Sequence, residues 1–247
     1  MGILDNRVAV VTGASRGIGK ATALAFGREG ARVVVTARTT EAIEALADRI
    51  GQGGPEALAV TANMSVEADI QRVADETMKR FGRIDILVNN AAIIHARIDL
   101  VDFDPNLWRQ VIDVNLTGIA LLTKAVLPGM IENRTGKIIN ISSIGGRKGG
   151  AGRSAYRATK AGLISLTESV AAEVKLYGID VNCICPGGVD TEMYREVFGV
   201  RGRKEDPRLM LPEEIAALVV FLVSDASSAV TGSAIDAFGE TNPLFSK

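Results

Sequence analysis

Residues 7–38 read RVAVVTGASRGIGKATALAFGREGARVVVTAR. Arg7 to Thr12 is a short, largely β-branched run of the length of one buried strand. Gly13, Gly17 and Gly19 follow in a tight turn, and Ile18 to Arg28 has helical spacing that Gly30 stops. A second β-branched run ends near Ala37. Strand, glycine turn, helix and strand make a βαβ unit. In its first turn the glycines allow close backbone approach and leave N–H groups aimed at an anion at the helix N-terminus. The spacing Gly-x-x-x-Gly-x-Gly, with Ser15, Arg16 and Ile18 between and beside the glycines, points to a dinucleotide. There is no Gly-x-x-x-x-Gly-Lys-Ser/Thr loop, so a P-loop hydrolase has no support.

The alternation continues outward from this unit. Helical spacing is expected over Glu41–Ile50, Val66–Arg80, Asn106–Met130 and Ser154–Leu176, and again from near Pro212. Strand-like runs lie at Ala57–Thr61, in IDILVNNAA, GKIINISS and IDVNCICPGG, and in SAIDAF. Short apolar runs alternating with helices predict a mostly parallel sheet of about seven strands, doubly wound, with helices on both faces: a three-layer αβα sandwich. No linker-like stretch or repeat interrupts it, so residues 1–247 are expected to form a single domain. The least regular stretch, Gly188 to Met210, is expected to be a long insertion that closes over a substrate, a lid at about 188–211.

Composition narrows the function classes. Lys and Arg number 28 against 29 Asp and Glu, so no global basic field directs the chain to nucleic acid or to an anionic membrane. The apolar runs at Val8–Val11, Val33–Val35 and Val219–Val223 are too short to span a bilayer, and the MGILDNR start lacks the apolar region of a secretory signal. A cytoplasmic location is expected. The two cysteines, Cys183 and Cys185, fall on one face of a strand and read as structural thiols. One histidine, His95, and two same-strand cysteines offer no metal-coordinating set.

At the end of the second strand, an acid would favour the ribose 2′-hydroxyl of NAD. Here the residues are Ala37, Arg38, Thr39 and Thr40. Arg38 and Arg16 suit a 2′-phosphate, with a threonine hydroxyl in support, so NADP(H) is expected to be preferred and NAD(H) is the alternative. Asn63 and Met64, just after the third strand, are placed for the adenine edge. Asn89, Asn90 and Ala91, after the fourth, are placed beside the nicotinamide ribose.

Ser143 stands at the carboxyl end of the fifth strand, before Gly145 and Gly146. Tyr156 and Lys160 are one helical turn apart and share a face. Open α/β sheets bind ligands beyond the carboxyl ends of their strands, so all three lie on the side of the glycine turn. Ketone reduction needs a hydride donor and an acid for the developing alkoxide. Tyr156 can act as that acid and Ser143 can polarise the carbonyl, while the Lys160 ammonium is expected to lower the tyrosine pKa. A serine hydrolase lacks the Gly-x-Ser-x-Gly elbow and would rest on His95 alone. A regulator built on the same fold would dispense with Tyr156 or Lys160, and an epimerase would show no net change in cofactor.

TGASRGIG, NNA at 89–91, DVNLTG around Asn115, INISS with Ser143, YRATK at 156–160 and PGGVDT at 186–191 together resemble the short-chain dehydrogenase/reductase family over essentially the whole chain. The resemblance implies a Rossmann-type fold, Tyr156 as general acid/base, Ser143 orienting the carbonyl, and Lys160 holding the nicotinamide ribose. It implies that Asn115 distorts the long helix and holds a water in a proton relay to Lys160. It places Pro186, Gly187, Val189 and Thr191 around the nicotinamide, and pairs subunits into a homotetramer or homodimer through the two long helices. The chain departs from the family at Ala92, at Asn63 and in the C-terminal FGETNPLFSK.

For the substrate, Gly145, Arg153, Gly187 and His95 are candidate contacts beside Ser143 and Tyr156. Arg97, Arg147, Lys148, Arg153, Arg195, Arg201, Arg203, Lys204 and Arg208 form an expected basic rim, which points to an anionic substrate: a carboxylate, a coenzyme A thioester or an acyl carrier protein. The chain also resembles 3-oxoacyl-thioester reductases of the family. Arg134 matches a carrier-contacting position, and Tyr177 stands where those enzymes have a second base. A small hydroxy acid, polyol or cyclic alcohol is the alternative substrate.

Overall fold

The computed structural model describes residues 2–241. Strands β1 (Val8–Thr12), β2 (Arg32–Ala37), β3 (Ala57–Thr61), β4 (Ile86–Asn89), β5 (Gly136–Ile141), β6 (Ile179–Pro186) and β7 (Ala234–Ala237) form one sheet in the order β3-β2-β1-β4-β5-β6-β7. Every pairing is parallel. The strands are apolar throughout because both sheet faces are covered. Ala9, Val11, Val33, Val35 and Ile139 point into one core, while their neighbours Val10, Val34 and Ile138 point into the other. The first core takes α1 (Gly17–Arg28), α2 (Thr40–Gly51) and α8 (Pro212–Val223) through Phe26, Ile43 and Val219. The second takes α3 (Glu67–Phe81), α5 (Gly118–Asn133) and α6 (Ser154–Val174) through Val73, Leu122 and Val170. This is the expected Rossmann-type sandwich.

Three local expectations are corrected. The helix expected over 106–130 is α4 (Pro105–Ile112) and α5, joined by a π turn at Asp113–Thr117. The wider turn goes with an inward Asn115, whose Oδ1 accepts from the Ile93 N–H at 2.7 Å while its Nδ2 donates to the Ile93 carbonyl at 2.8 Å. The helical stretch Pro105–Asn133 is long and apolar enough to cross a membrane by length and composition, but Val111, Leu122 and Val126 face the protein core. Helix α6 stops at Val174 and a 3₁₀ turn, Lys175–Tyr177, leads to Gly178 at φ +69°, a left-handed position that suits glycine. Finally, the stretch expected to be irregular carries helix α7 (Glu192–Phe198), N-capped by the Thr191 side chain, and a 3₁₀ turn at Gly202–Lys204. A bridge between Val189 and Met210 ties its two ends together. Of the unusual C-terminal tail, residues 242–247 lie outside the described residues.

Candidate active site

The strand order reverses between β1 and β4, and a cleft of about 630 Å³ opens where their carboxyl ends diverge. Gly13, Ser15, Arg16, Gly17, Ile18, Ala37, Arg38, Thr39, Asn63, Met64, Asn90 and Ala91 line one end of it. Arg16 is the N-cap of α1, no side chain caps that helix, and its first turn holds no acid. The N–H groups there suit a phosphate, and the chemistry of this end fits a dinucleotide. Gly13 and Gly17 have φ of +64° and +56°. Gly19 is buried outside the cleft wall: a Cβ there would stand 2.4 Å from the Gly13 carbonyl oxygen, so this glycine lets α1 close against the turn.

Several polar groups at this end are already engaged. The Asn90 Nδ2 donates to the carbonyls of Thr12 at 3.0 Å and Gly13 at 3.2 Å, while the Thr12 Oγ1 accepts from the N–H groups of Asn90 and Ala91. Asn90 thus fastens the ends of β1 and β4 together. Asn89 is corrected from the ribose site to the interior, where its Nδ2 donates to Thr123 and Asn140. Asn63 Oδ1 accepts from the backbone and hydroxyl of Ser65, and Thr40 shares a hydrogen bond with Thr61 at 2.8 Å. Arg16, expected to meet a 2′-phosphate, is paired with Glu196 of α7 at 2.5 Å. Arg38 is exposed and has no acidic partner among the described residues.

At the other end, Ser143, Tyr156 and Lys160 line the cleft together with Pro186, Gly187, Val189 and Thr191. Ser143 caps a 3₁₀ turn after β5, its Oγ accepting from the Gly145 N–H at 3.0 Å, and it lines the cleft beside Tyr156. Gly145 is buried behind it rather than exposed to substrate. Lys160 is 2% exposed, and its Nζ donates to the Ile141 carbonyl at 2.7 Å and sits 5.7 Å from the Tyr156 ring centre. Burial pulls its pKa down to about 8. Burial raises that of Tyr156, against the nearby Ser143 hydroxyl and the charges of Arg153 and Arg157. In the cofactor-free protein burial outweighs the opposing charges. The ammonium stands over the ring, the nearby guanidiniums act on the phenol, and without cofactor Tyr156 stays protonated. Asn115 is fully buried outside the cleft wall, its amide committed to Ile93 and Thr159.

A glycine turn, an uncapped helix N-terminus and a Ser–Tyr–Lys group thus share one cleft. The family model described as short chain dehydrogenase matches residues 7–200. This chain is a short-chain dehydrogenase. It is 41% identical over 247 residues to the 3-oxoacyl-[acyl-carrier-protein] reductase of Synechocystis sp., covering 97% of this chain and 98% of the relative. It is 40% identical to the 3-oxoacyl-[acyl-carrier-protein] reductase of Vibrio cholerae, covering 96% and 97%. Among solved structures, levodione reductase superposes with a TM-score of 0.89 at 32% identity, over 96% of this chain and 98% of that one. The dehydrogenase is accordingly an oxidoreductase of CH–OH donors that uses a nicotinamide cofactor, and it interconverts a ketone and a secondary alcohol.

The substrate side of the dehydrogenase departs most from expectation. Much of the basic rim is paired: Arg147 with Asp236, Arg195 with Asp190, Arg201 with Glu205, Arg203 with Glu214 and Arg208 with Asp206. Each of these acids lies close by in sequence or fold, which a count of bases alone does not reveal. Arg153 is buried and donates to the His95 carbonyl instead of lining the cleft. His95 is buried edge-on against Phe103, its Nδ1 2.6 Å from the Ala96 carbonyl. In their place Met193, Tyr194 and Phe198 of α7 line the cleft, the two rings 4.5 Å apart. The i, i+4 spacing of those aromatics in a charged segment was the available signal, and the surrounding arginines masked it. Cys183 and Cys185 are free and buried against Phe238 and Ile144, the structural role expected of them.

Proposed function

We propose that this dehydrogenase reduces a 3-oxoacyl thioester, with NADPH as the preferred cofactor. When bound, the nicotinamide supplies the hydride. The observation that carries the reading is the Ser143–Tyr156–Lys160 group in a cleft whose other end presents Arg38 without an acid. Ser143 orients the carbonyl oxygen, and Tyr156, protonated and half-buried, gives its proton to the developing alkoxide. Lys160 holds the ribose of the cofactor, and its ammonium, over the Tyr156 ring, stabilises the phenolate left behind. Asn115 acts through shape: it fixes the Ile93 backbone, and Ile93 lines the cleft. Gly13, Gly17 and the first turn of α1 cradle the pyrophosphate, and Arg38 with Thr39 meets the 2′-phosphate. NAD(H) would call for an acid at the end of β2, where none stands.

The thioester part of the proposal rests on relatives named for acyl-carrier-protein substrates. Arg134 supports it: it is a surface cation whose Nη2 donates to the Leu176 carbonyl at 2.8 Å beside the half-exposed Tyr177, and an acidic carrier suits it. The 188–211 segment serves as a lid over one catalytic domain, held over the glycine turn by Arg16–Glu196 and over the substrate by Tyr194 and Phe198. The enzyme works in the cytoplasm as a homotetramer paired through α4–α5 and α6. The test is absorbance of reduced nicotinamide during reduction of a 3-oxobutanoyl thioester. Faster oxidation of NADPH than of NADH is expected. Turnover confined to NAD with polyols or small hydroxy acids would replace this reading with the dehydrogenase alternative.

A further inference from the structure

Arg153 is 93% buried by complement of its 7% exposure, three residues before Tyr156, and among the described residues it forms no ion pair with an acid. A guanidinium has five donors, and burying its charge is costly unless it is paired. Here the partners are one backbone carbonyl, that of His95, and the ring of Phe198, whose centre is 4.9 Å from Cζ. Its charged neighbours, Arg97 and Arg157, repel it. Neither of these has an acidic partner among the described residues, and Arg157 donates only to the Lys148 carbonyl. Five other rim arginines, in contrast, have carboxylates. Arg153, the member of this positive group that lies over the Phe198 ring, therefore sits behind a residue that itself lines the cleft holding Tyr156.

We propose that Arg153 is the anchor for a carboxylate carried on the oxo-acid portion of the substrate, which replaces the Phe198 ring as the guanidinium's partner. The inference rests on the reading of this cleft as a ketone-reducing site and adds to the thioester, whose own carboxyl is masked, a free oxo acid as a second class of substrate. A carrier protein's surface acids remain outside the lid. Arg153, buried three residues before Tyr156 and behind Phe198 of the cleft wall, reads a group near the reacting carbonyl. The planar fork of arginine suits a carboxylate, which can accept two parallel hydrogen bonds.

Two measurements separate this anchor from the reductase reading. The first is NADPH oxidation with hexanoates bearing the oxo group at successive positions, each compared with its methyl ester. The wild type is expected to favour at least one acid over its ester. Arg153→Gln is expected to lower that acid-to-ester ratio of kcat/KM by about 30-fold or more, through KM, and Arg153→Lys to restore part of it. A ratio unmoved by Arg153→Gln, or a wild type that prefers every ester, overturns the anchor and leaves the reductase intact. The second is calorimetric titration of the corresponding hydroxyhexanoates into the wild type and Arg153→Gln. Carboxylate binding that depends on Arg153, with no ketone reduced, would overturn the reductase reading and uphold the anchor. Equal heats for both proteins would overturn the anchor.

Discussion

Lys160 is buried almost completely, and burial holds its pKa at about 8 instead of the ordinary 10.5. The folded, cofactor-free protein therefore disfavours the ammonium. Below pH 8 both the folded and the unfolded chain carry the proton and the folded state bears the full cost; between about pH 8 and 10.5 the unfolded chain binds the proton more fully, and the cost fades as pH rises. Replacing Lys160 with Met removes the charge but leaves the Ile141 carbonyl without its donor. The expected net gain is about 1–2 kcal/mol at pH 7, read by urea unfolding, shrinking towards zero or reversing by pH 10.5, with turnover lost. Arg38→Ala is expected to weaken NADPH by about tenfold or more while leaving NADH nearly unchanged, read by fluorescence titration. The residues that touch the cleft were readable where a motif fixes them to a strand end or a helix face, as for Ser143, Tyr156 and Lys160. Arg153 was read as a cleft contact, because nothing in the order of residues tells which of several arginines folds beneath an aromatic ring.

The π turn between α4 and α5 shows how a helix can serve a loop. Asn115 is turned inward and pairs with both backbone groups of Ile93, which the strand β4 alone would leave unsupported. Asn115→Leu is expected to cost about 2–4 kcal/mol, because it strands buried polar groups of Ile93 and Thr159, with a lower urea midpoint and faster exchange of the Ile93 amide. A fall in turnover without either change would contradict its role through shape. Gly19→Ala is a second test at this level: the new methyl would press the Gly13 carbonyl and the Asn90 amide, so both stability and cofactor affinity are expected to fall. The helix over 106–130 was legible as a periodic apolar segment, whereas its break was legible only through the family resemblance. One extra residue in a turn leaves no mark on hydrophobic periodicity.

At the level of the whole molecule, both sheet faces are covered and the strand order reverses at β1 and β4, so the cleft's position follows from the alternation of strands and helices. That much was present in the sequence. The form of the 188–211 segment was not, because its helix α7 is short and its contacts are distant in sequence, with Glu196 reaching Arg16 and Val189 bridging Met210. The expected oligomer can be read in solution by sedimentation, with a mass four times the 26.1 kDa of one chain; a stable monomer at enzyme-assay concentrations would contradict pairing through the long helices. The most direct test of the account is NADPH binding and oxidation in Tyr156→Phe, with a 3-oxobutanoyl thioester as substrate. The account predicts NADPH binding close to that of the wild type and a rate lower by about 10²-fold or more, since the phenolic proton is the one removed. Reduction at an undiminished rate in Tyr156→Phe would contradict it.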